Sequence, residues 1–420
     1  MLYLVLERIN ESGPIARSER RTDWVLRIRV WTMLKSWYST KHCTIHELQH
    51  GPCLLIRYGE HYKKNSEMDF TWIEEAWKMK GHLETIKKGM KEKGYNFDSL
   101  LVPSDHPSRA LSESYYLNSE YMLRAHTSAH QSDLIKQGLD AFLVLGDVYR
   151  RDTVDASHYP VFHQMEGVRL FSKQELFSHL GDTSRVTFFE NGSRDATKQE
   201  RHTIETSLCL EENLKNTLRN LANNLFGDDV EMQWVDAYFP FTHPSWELEI
   251  KYQGEWLEVL GCGIVEQEIL SSAGADSRVG WAFGLGLERL AMRLYSIPDI
   301  RLFWSEDSRF LDQFNVVDPN TKITYKPFSK QSPVINDVSF WVPDDFSEND
   351  FYDIVRNIGG DIVENVELFD DFVHPKTKRK SKAYRITYRH MERSLTKSEA
   401  NEIHSGIVAA GVQQLGIQER

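Results

Sequence analysis

The amino-acid sequence predicts an α+β protein: a large domain with an antiparallel sheet flanked by helices, and a smaller C-terminal domain with a ferredoxin-like α+β fold. Three observations support this prediction. Beyond Phe97, short apolar runs separated by turn signals alternate with longer stretches of helical periodicity. Trp246–Ile250 and Trp256–Leu260 have the pattern of two strands joined across Gln253-Gly254, which favours antiparallel pairing. The last part of the chain has the order strand, helix, strand, strand, helix, which is typical of a split βαβ fold.

The individual elements follow from periodicity. Helical spacing of apolar residues predicts helices at Thr71–Gly94, Ser128–Gly138, Lys198–Leu225 and Gly286–Tyr295. Near the C terminus, the same reasoning predicts strands at Val338–Val342 and Ala383–Tyr388 and helices at Glu348–Ile358 and Lys397–Leu415. We therefore expect an N-terminal segment (residues 1–95), a main domain (96–314), a polar, proline-containing linker (315–327) and a C-terminal domain (328–420).

Composition excludes several classes of protein. With 420 residues and 40% hydrophobic content, the chain can bury one large core or two smaller ones. No run of about 18 apolar residues occurs, so we expect no membrane span. The four cysteines show no paired metal spacing and fit a reducing compartment. A net charge of -12 argues against binding nucleic acid over the whole surface.

One glycine-rich segment predicts a nucleotide site. Gly280–Arg289 runs from an apolar strand through closely spaced glycines into a helix, which lets backbone approach a ligand and places Arg289 on the first turn. A dinucleotide-binding fingerprint needs a third glycine where Arg289 stands, so that class is disfavoured. Glycines that serve only tight strand–helix packing are the alternative interpretation.

A second segment places charge at the end of a buried strand. Phe142–Asp152 is an apolar run that ends in Arg150 and Arg151. The planar guanidinium of arginine can hold a phosphate with two hydrogen bonds, which suits nucleophilic attack at that phosphorus. An arginine paired with Asp147 or Asp152 at the rim of the sheet is the structural alternative.

A local basic segment lies within the acidic chain. Residues 374–393 hold eight lysines and arginines against one acid. A solvated charged loop and a surface for RNA phosphates are both compatible with this composition.

Together these segments resemble motifs two and three of class II aminoacyl-tRNA synthetases, which bind a bent ATP on an antiparallel sheet. The sequences from Phe97 to Arg109, His126 to Gln131, Phe239 to Ser245 and Gly280 to Arg289 resemble the phenylalanyl-tRNA synthetases of the single-chain mitochondrial type. The resemblance runs from Asn96 to Arg420, and residues 1–95 do not match the family's first motif.

The resemblance implies an ATP site. Arg150 would bind the α-phosphate, Arg289 would pack on the adenine and γ-phosphate, and Phe162 would stack on the other face of the base. His158 and Glu258 would support the ATP and a Mg²⁺ ion. Arg150 and Arg289 are therefore the candidate catalytic residues.

The resemblance also implies a phenylalanine pocket. Ser128, Gln164 and Glu166 would lie near the substrate ammonium. Phe239 and Phe241 would contact the substrate ring, with Ala282 and Phe283 as the floor. The remaining expected substrate-binding residues are His126, Ala129, His130, Gln131, Ser157, Tyr159 and His158. An apolar slot rejects a ligand that merely adds a hydroxyl only by a factor on the order of 10².

The C-terminal segment resembles the anticodon-binding ferredoxin-fold domain of the same family. Strand alternation places Tyr384, Ile386 and Tyr388 toward the core and Arg385 and Arg389 toward RNA. The expected tRNA-binding residues are Lys376, Lys378, Arg379, Lys380, Lys382, Arg385 and Arg389. The family implies a monomer that acts on tRNA(Phe) in the mitochondrial matrix. The basic residues among the first 35 fit a mitochondrial targeting signal, but the acids among them do not.

Two other functions are compatible with parts of the sequence. A non-catalytic RNA-binding protein with a synthetase fold would bind tRNA without forming an adenylate. A synthetase-like enzyme that adenylates a small acid would not need the basic C-terminal segment.

Overall fold

The computed structural model describes residues 90–420, except 181–182, 253, 306, 315–322, 328–330 and 391–392. Most of the predicted N-terminal segment and part of the predicted linker therefore lie outside the described residues. The helix predicted at Thr71–Gly94 also lies mostly outside. Within its described part, the prediction is wrong for Met90–Glu92, which form a short strand that pairs with Tyr121–Leu123, whereas Lys93 and Gly94 are helical.

The chain contains twelve strands within the described residues. They are β1 (Met90–Glu92), β2 (Tyr121–Leu123), β3 (Ala141–Tyr149), β4 (Val161–Phe171), β5 (Met232–Phe239), β6 (Thr242–Tyr252), β7 (Glu255–Val265), β8 (Val279–Gly286), β9 (Val334–Val342), β10 (Val363–Val373), β11 (Lys380–Tyr388) and β12 (Gln418–Glu419).

The described α-helices are α1 (Lys93–Asn96), α2 (Gln131–Lys136), α3 (Lys173–Leu176), α4 (Ile204–Phe226), α5 (Gln267–Ser272), α6 (Leu287–Tyr295), α7 (Ser308–Leu311), α8 (Glu348–Gly359) and α9 (Lys397–Leu415). Two short 3₁₀ helices matter for the site, Thr127–His130 and Ile300–Trp304. Among the described residues, no helix is long and apolar enough to cross a membrane.

Six strands form the large sheet in the order β3-β4-β8-β7-β6-β5, and every pair is antiparallel. The predicted α+β class and the predicted pairing of the Trp246 and Trp256 strands are confirmed. Both strands extend beyond the predicted limits. Their pairing continues to Tyr252 and Glu255 at the turn, and to Thr242 and Val265 at the other end.

The back face of the large sheet is covered by α4. Thr203 caps its N terminus by accepting a hydrogen bond from the backbone of Thr206, so the helix begins later than the predicted Lys198. Leu210, Leu214 and Leu218 recur at helical spacing and are fully buried against the sheet. This packing forms the main core and fixes the sheet from behind.

The front face is covered at only one end. Val168, Leu170 and Ala282 point to this face and pack under α2, α5 and the segment around Phe97. Nothing in this small core extends over the other end of the same strands, where Phe162 and Gln164 lie. The front face therefore combines a closed apolar end with an accessible polar end.

The C-terminal domain has a four-stranded antiparallel sheet in the order β10-β11-β9-β12. α8 and α9 cover one face of it, as the predicted ferredoxin-like order requires. Tyr384, Ile386 and Tyr388 are fully buried in this core, so the predicted alternation along β11 is confirmed. A capping box between Thr396 and Glu399 begins α9.

The two domains meet next to the strand that ends in Arg150. Arg151 pairs with Asp350 at 2.6 Å and with Asp353 at 2.7 Å, both on α8. The backbone N–H of Val366 on β10 donates to the carbonyl of Val154, and Val154 packs in the C-terminal core. The loop between β3 and β4 is thus held by both domains.

Candidate active site

The front face carries a hollow where two neighbouring strands have glycine. Glu166, Gly284, Gly261 and Glu247 form one row across β4, β8, β7 and β6. Paired residues of an antiparallel sheet point to the same face, so the two glycines leave space between the flanking carboxylates. A Cβ at Gly261 would lie 2.8 Å from the ring of Phe239. Glycine is needed there for the aromatic ring to lie over the sheet.

Glu166 lies at one wall of this hollow and is 2% exposed. Its carboxylate accepts hydrogen bonds from Gln131 Nε2 at 3.1 Å and from Thr127 Oγ1 at 3.3 Å. Both partners are neutral, and no ion pair involves Glu166 among the described residues. Burial raises the pKa of Glu166 to about 7, while the hydroxyls of Ser128 and Thr127 oppose the shift.

Two further buried acceptors, on the segment from His126 to Gln131 that also bonds Glu166, have no donor among the described groups. The Nε2–H of His126 donates to the carbonyl of Asn96 at 3.0 Å, so its Nδ1 carries a lone pair. Nδ1 of His126 and Oε1 of Gln131 are buried, and no described group donates to either. Burial, assisted by the charge of Arg150, lowers the pKa of His126 to about 4. The ring is therefore a neutral acceptor at pH 7.

The apolar end of the hollow is aromatic. The rings of Phe239 and Phe241 lie nearly parallel with centroids 5.9 Å apart, and Phe241 also stacks on His126 at 6.2 Å. Phe241 packs beside the small core that contains Ala282. These rings line the aromatic slot, an apolar site whose walls can contact an aromatic ring.

The prediction that Phe283 forms the floor of this slot is wrong for its side chain. Phe283 pairs with Gly167 and Cys262 and lies in the main core on the back face, 2% exposed. The cause is the twofold alternation of β8, which sends neighbouring side chains to opposite faces. Ala282 keeps the predicted position on the front face.

The 3₁₀ helix Thr127–His130 places the remaining polar groups. The backbone N–H of Thr127 donates to Oε1 of Gln164 at 3.0 Å, which fixes that amide on the front face. Ser128 and Ala129 are buried. His130 lies 3.2 Å from Nη1 of Arg124, at the side of the site rather than in the hollow.

Arg150 lies at the accessible end of the same face. Its Nε donates to the carbonyl of Ala125 at 2.9 Å, and its guanidinium lies 5.3 Å from the ring centroid of Phe162. The residue is solvent-accessible although protein surrounds the guanidinium, which is the geometry of an open cleft. Desolvation lowers the pKa of Arg150, Arg289 lowers it further, and Asp152 opposes the shift.

Arg289 approaches the cleft from the first turn of α6, as predicted. Its Nη1 pairs with Oε2 of Glu258 at 3.1 Å, and both side chains are 44% exposed. Burial raises the pKa of the neighbouring Glu247, and the charge of Glu258 adds to this shift. Among the described residues, no group of three or more potential ligands could hold a metal by itself.

In the loop after Arg150, Ser157 and His158 bond to an acid of the same loop, whereas Tyr159 turns away from the hollow. His158 pairs with Asp155 at 2.7 Å, and that hydrogen bond raises the pKa of His158. The hydroxyl of Ser157 also bonds to Asp155, at 2.8 Å. Tyr159 does not face the hollow: its ring stacks on Trp304 at 5.2 Å and its hydroxyl reaches the C-terminal domain.

The predicted RNA-facing residues divide into two groups. Lys376, Lys378 and Lys380 are exposed and form no ion pair within the described part of the chain, and Arg379 is exposed beside Trp341. The others are paired with acids: Lys382 with Glu348 and Asp371, Arg385 with Asp337, and Arg389 with Glu364. The side chain of Lys382 is only 14% exposed, because it lies on the same face of β11 as Tyr384, which points into the core.

Sequence reasoning missed a buried ionic group behind the site. Asp147 is the partner of neither Arg150 nor Arg151, because it points to the back face and contacts His163 at 3.0 Å. His163 also contacts Glu288 at 2.5 Å. The alternation of β3 and β4 could have placed Asp147 and His163 together, but the sequence holds no signal that brings Glu288 to them.

The arrangement suits two ligands side by side. A buried carboxylate, two free acceptors and an aromatic slot match an amino acid with a positive ammonium group and an aromatic side chain. Arg150 over Phe162, with Arg289 nearby, matches the phosphates and base of a nucleotide.

Comparisons with known proteins agree with this geometry. Residues 60–191 and 186–314 match the family described as tRNA synthetases class II core domain (F), and residues 329–420 match the ferredoxin-fold anticodon binding domain. The core-domain match begins before Asn96, so the similarity extends further toward the N terminus than the sequence motifs indicate.

Individual relatives are close in sequence. The mitochondrial phenylalanine–tRNA ligase of Mus musculus is 61% identical over 326 residues, which cover 77% of this chain and 72% of the relative. A probable mitochondrial phenylalanine–tRNA ligase of Drosophila melanogaster is 50% identical over 77% of this chain and 76% of its own length. The chloroplastic/mitochondrial phenylalanine–tRNA ligase of Arabidopsis thaliana is 50% identical over 77% and 70%.

The raised pKa of Glu166 predicts a pH-dependent cost in stability. Because the folded pKa of about 7 exceeds the unfolded value of 4.5, the folded state loses stability as pH rises from 4.5 through 7. Glu166→Gln should therefore increase the free energy of unfolding at pH 8 by a few kcal/mol, on the order of what the shift implies, with a much smaller gain at pH 5.

Urea denaturation of both proteins at the two pH values measures this difference. Glu212→Gln, at an exposed position of α4, is the matched control and should give the same small effect at both pH values. An equal effect of Glu166→Gln at pH 5 and pH 8 would contradict the assigned burial of a charged carboxylate.

Proposed function

The chain belongs to the class II phenylalanine–tRNA ligases, and we propose how its residues bind the substrates of that reaction. The enzyme joins phenylalanine to tRNA at the expense of ATP. As in the relatives named above, we place this reaction in mitochondria, in the matrix where tRNA is used. The residue roles below rest on the geometry of the front face.

The observation that carries the proposal is the buried carboxylate of Glu166 with only neutral partners. A substrate ammonium supplies the missing cation and up to three donated protons. Glu166, Nδ1 of His126 and Oε1 of Gln131 provide three acceptors, one for each of these protons. Binding of the cation would also return the pKa of Glu166 toward its usual range, since an opposite charge favours the ionised form.

The aromatic slot is proposed to hold the phenyl ring. Phe239 and Phe241 provide the walls, and Ala282 lies at the closed end. Gly261 lets the ring of Phe239 lie over the sheet, and Gly284 has no side chain between this slot and Glu166. Ring and ammonium are then bound at opposite ends of one hollow, which fixes the direction of the carboxylate.

ATP is proposed to bind at the open end, on Phe162. The guanidinium of Arg150 now lies over this ring, so adenine must replace it there. The released guanidinium then becomes available to the α-phosphate. Arg289 likewise exchanges its pairing with Glu258 for the base and γ-phosphate. Each arginine would have a protein partner without ATP and a phosphate partner with it.

The chemistry then depends on position and charge. The phenylalanine carboxylate attacks the α-phosphorus, the bond to pyrophosphate breaks, and pyrophosphate leaves with the electron pair. Arg150 offsets the negative charge that develops on the α-phosphate oxygens. A terminal ribose hydroxyl of tRNA then attacks the carbonyl carbon, and AMP leaves as the ester forms.

Mg²⁺ is proposed as the metal of this reaction, with Glu258 and the adjacent Glu247 as protein ligands. Carboxylate oxygens are suitable donors, and Mg²⁺ commonly binds one or two carboxylates together with substrate phosphates. When bound, Mg²⁺ offsets phosphate charge.

We propose that residues 96–314 are the catalytic domain, that residues 315–327 are a linker, and that residues 328–420 bind tRNA(Phe) as part of a monomer. The exposed Lys376, Lys378, Arg379 and Lys380 support phosphate contacts that weaken with salt. Arg385, Arg389 and Lys382 can take part only by leaving their carboxylate partners.

Arg150→Ala should abolish phenylalanine-dependent ATP–pyrophosphate exchange, because no other described group near Phe162 can replace its guanidinium at the α-phosphate. We expect a loss of at least about 10³-fold, within the range observed for groups that stabilise transition-state charge. Arg219→Ala, at an exposed position of α4, should leave the exchange unchanged. Near-normal exchange by Arg150→Ala would overturn the assigned role.

Tyrosine should be a modest competitor of phenylalanine in the same exchange assay. The slot lined by Phe239 and Phe241 is apolar, and such a slot discriminates against an added hydroxyl by a factor on the order of 10². Exchange rates with each amino acid, measured at equal enzyme concentration and at equal amino-acid concentrations well below KM, give the ratio of kcat/KM. A discrimination above roughly 10⁴ would contradict an unassisted apolar pocket.

A further inference from the structure

His163 lies directly behind the proposed ATP site, on the back face of β4. Its Nδ1 contacts Oε1 of Glu288 at 2.5 Å and its Nε2 contacts Oδ1 of Asp147 at 3.0 Å. The three side chains are largely buried, with exposures of 7% for His163, 4% for Glu288 and 16% for Asp147. Trp304 stacks on the imidazole with an interplanar angle of 12°.

Both ring nitrogens of His163 face carboxylates, so both must donate a proton. A neutral imidazole can donate only one, which would leave one buried carboxylate without its bond. Burial alone would lower the pKa of His163, but Glu288 and Asp147 outweigh it and raise the pKa to about 10. The charged groups that face the ring are Asp147 from β3 and Glu288 from α6, and Trp304 is uncharged.

The contact with Glu288 continues a strand pairing beyond its normal end. β4 and β8 pair as far as Gln164 and Gly286, where β8 turns into α6. The next backbone N–H on β4, that of His163, donates instead to Oε2 of Glu288 at 2.9 Å. The carboxylate thus replaces the strand carbonyl that is missing there, and the helix is anchored to β4 at its first turn.

The three bridged residues are sequence neighbours of the ATP-binding groups. His163 lies between Phe162 and Gln164, and Glu288 immediately precedes Arg289. Asp147 lies on β3, three residues before Arg150, which follows the end of that strand. The three elements that carry or adjoin these front-face groups, β3, β4 and α6, are therefore all joined by one buried cation, the ring of His163.

We infer that His163 is a positioning residue for ATP, whose charged ring joins β3, β4 and α6 so that Phe162 and Arg289 keep a fixed spacing around the nucleotide. This inference rests on the proposed roles of Phe162 and Arg289. Sites of this kind need their groups held within about 0.5 Å, and a misplacement near 1 Å costs on the order of 10²-fold in rate.

The main test compares His163→Gln, Glu288→Gln and the double variant in pyrophosphate exchange. Each single variant should raise the KM for ATP at least about tenfold, the loss expected for one charge-assisted hydrogen bond. The KM for phenylalanine should change much less. If His163 acts through Glu288, the double variant should be no worse than the poorer single variant.

Asp147→Asn gives a readout that a structural role alone would not change. Removal of one carboxylate lowers the pKa of His163 toward neutrality. The KM for ATP should then rise between pH 6 and pH 9 in this variant, as the ring loses its charge and holds Glu288 less tightly, and should stay flat in the natural protein. A flat profile in both proteins would overturn the inference.

His202→Gln is the matched control, because His202 is also fully buried and bonds to Gln267 at 2.9 Å away from the ATP site. It should lower stability without changing the KM for ATP. If His163→Gln fails to fold, Asp147→Asn still decides the question through its pH profile. Arg289→Ala, measured in parallel, separates the two ideas: a raised KM for ATP there with normal values in His163→Gln and Glu288→Gln would overturn the inference alone.

Discussion

The twofold alternation of β4 is the constraint on which the rest of the site depends. It sends Phe162, Gln164 and Glu166 to the front face and His163 and Met165 to the back face. A shift of one residue in register would exchange ligand-binding groups for core groups along the whole strand. The main core behind the sheet therefore specifies the chemistry in front of it, because it accepts only one of the two registers.

The front face can bind ligands because several of its polar groups lack a hydrogen-bond or charge partner among the described residues. Glu166 has neutral partners only, Nδ1 of His126 has no donor among the described groups, and Arg150 rests on an aromatic ring. Such features cost stability and are typical of binding sites rather than of cores. By contrast, the back-face group of Asp147, His163 and Glu288 pairs both nitrogens of its one cation with carboxylates. One face of the sheet is prepared for ligands and the other is closed.

Sequence reasoning predicted the fold class, the hairpin of β6 and β7, the core parity of Tyr384 and the approach of Arg289 from a helix start. These features depend on local periodicity, which a single sequence contains. It failed where long-range packing decides: Phe283 faces the core, Tyr159 stacks on Trp304, and Lys382 pairs with Glu348. The contact of His163 with Glu288 was missed, because only the folded sheet brings the start of α6 next to β4.

The central claim is that Glu166 is the acceptor for the substrate ammonium. The pH dependence of kcat/KM for phenylalanine, at saturating ATP, tests it most directly, because this ratio reports groups of the enzyme before phenylalanine binds. We expect kcat/KM to fall below a pKa near 7, the value set by burial of Glu166, and we expect Glu166→Gln to remove this dependence and lower the plateau. A flat profile between pH 5.5 and pH 8 in the natural protein, or an unchanged profile in Glu166→Gln, would contradict it.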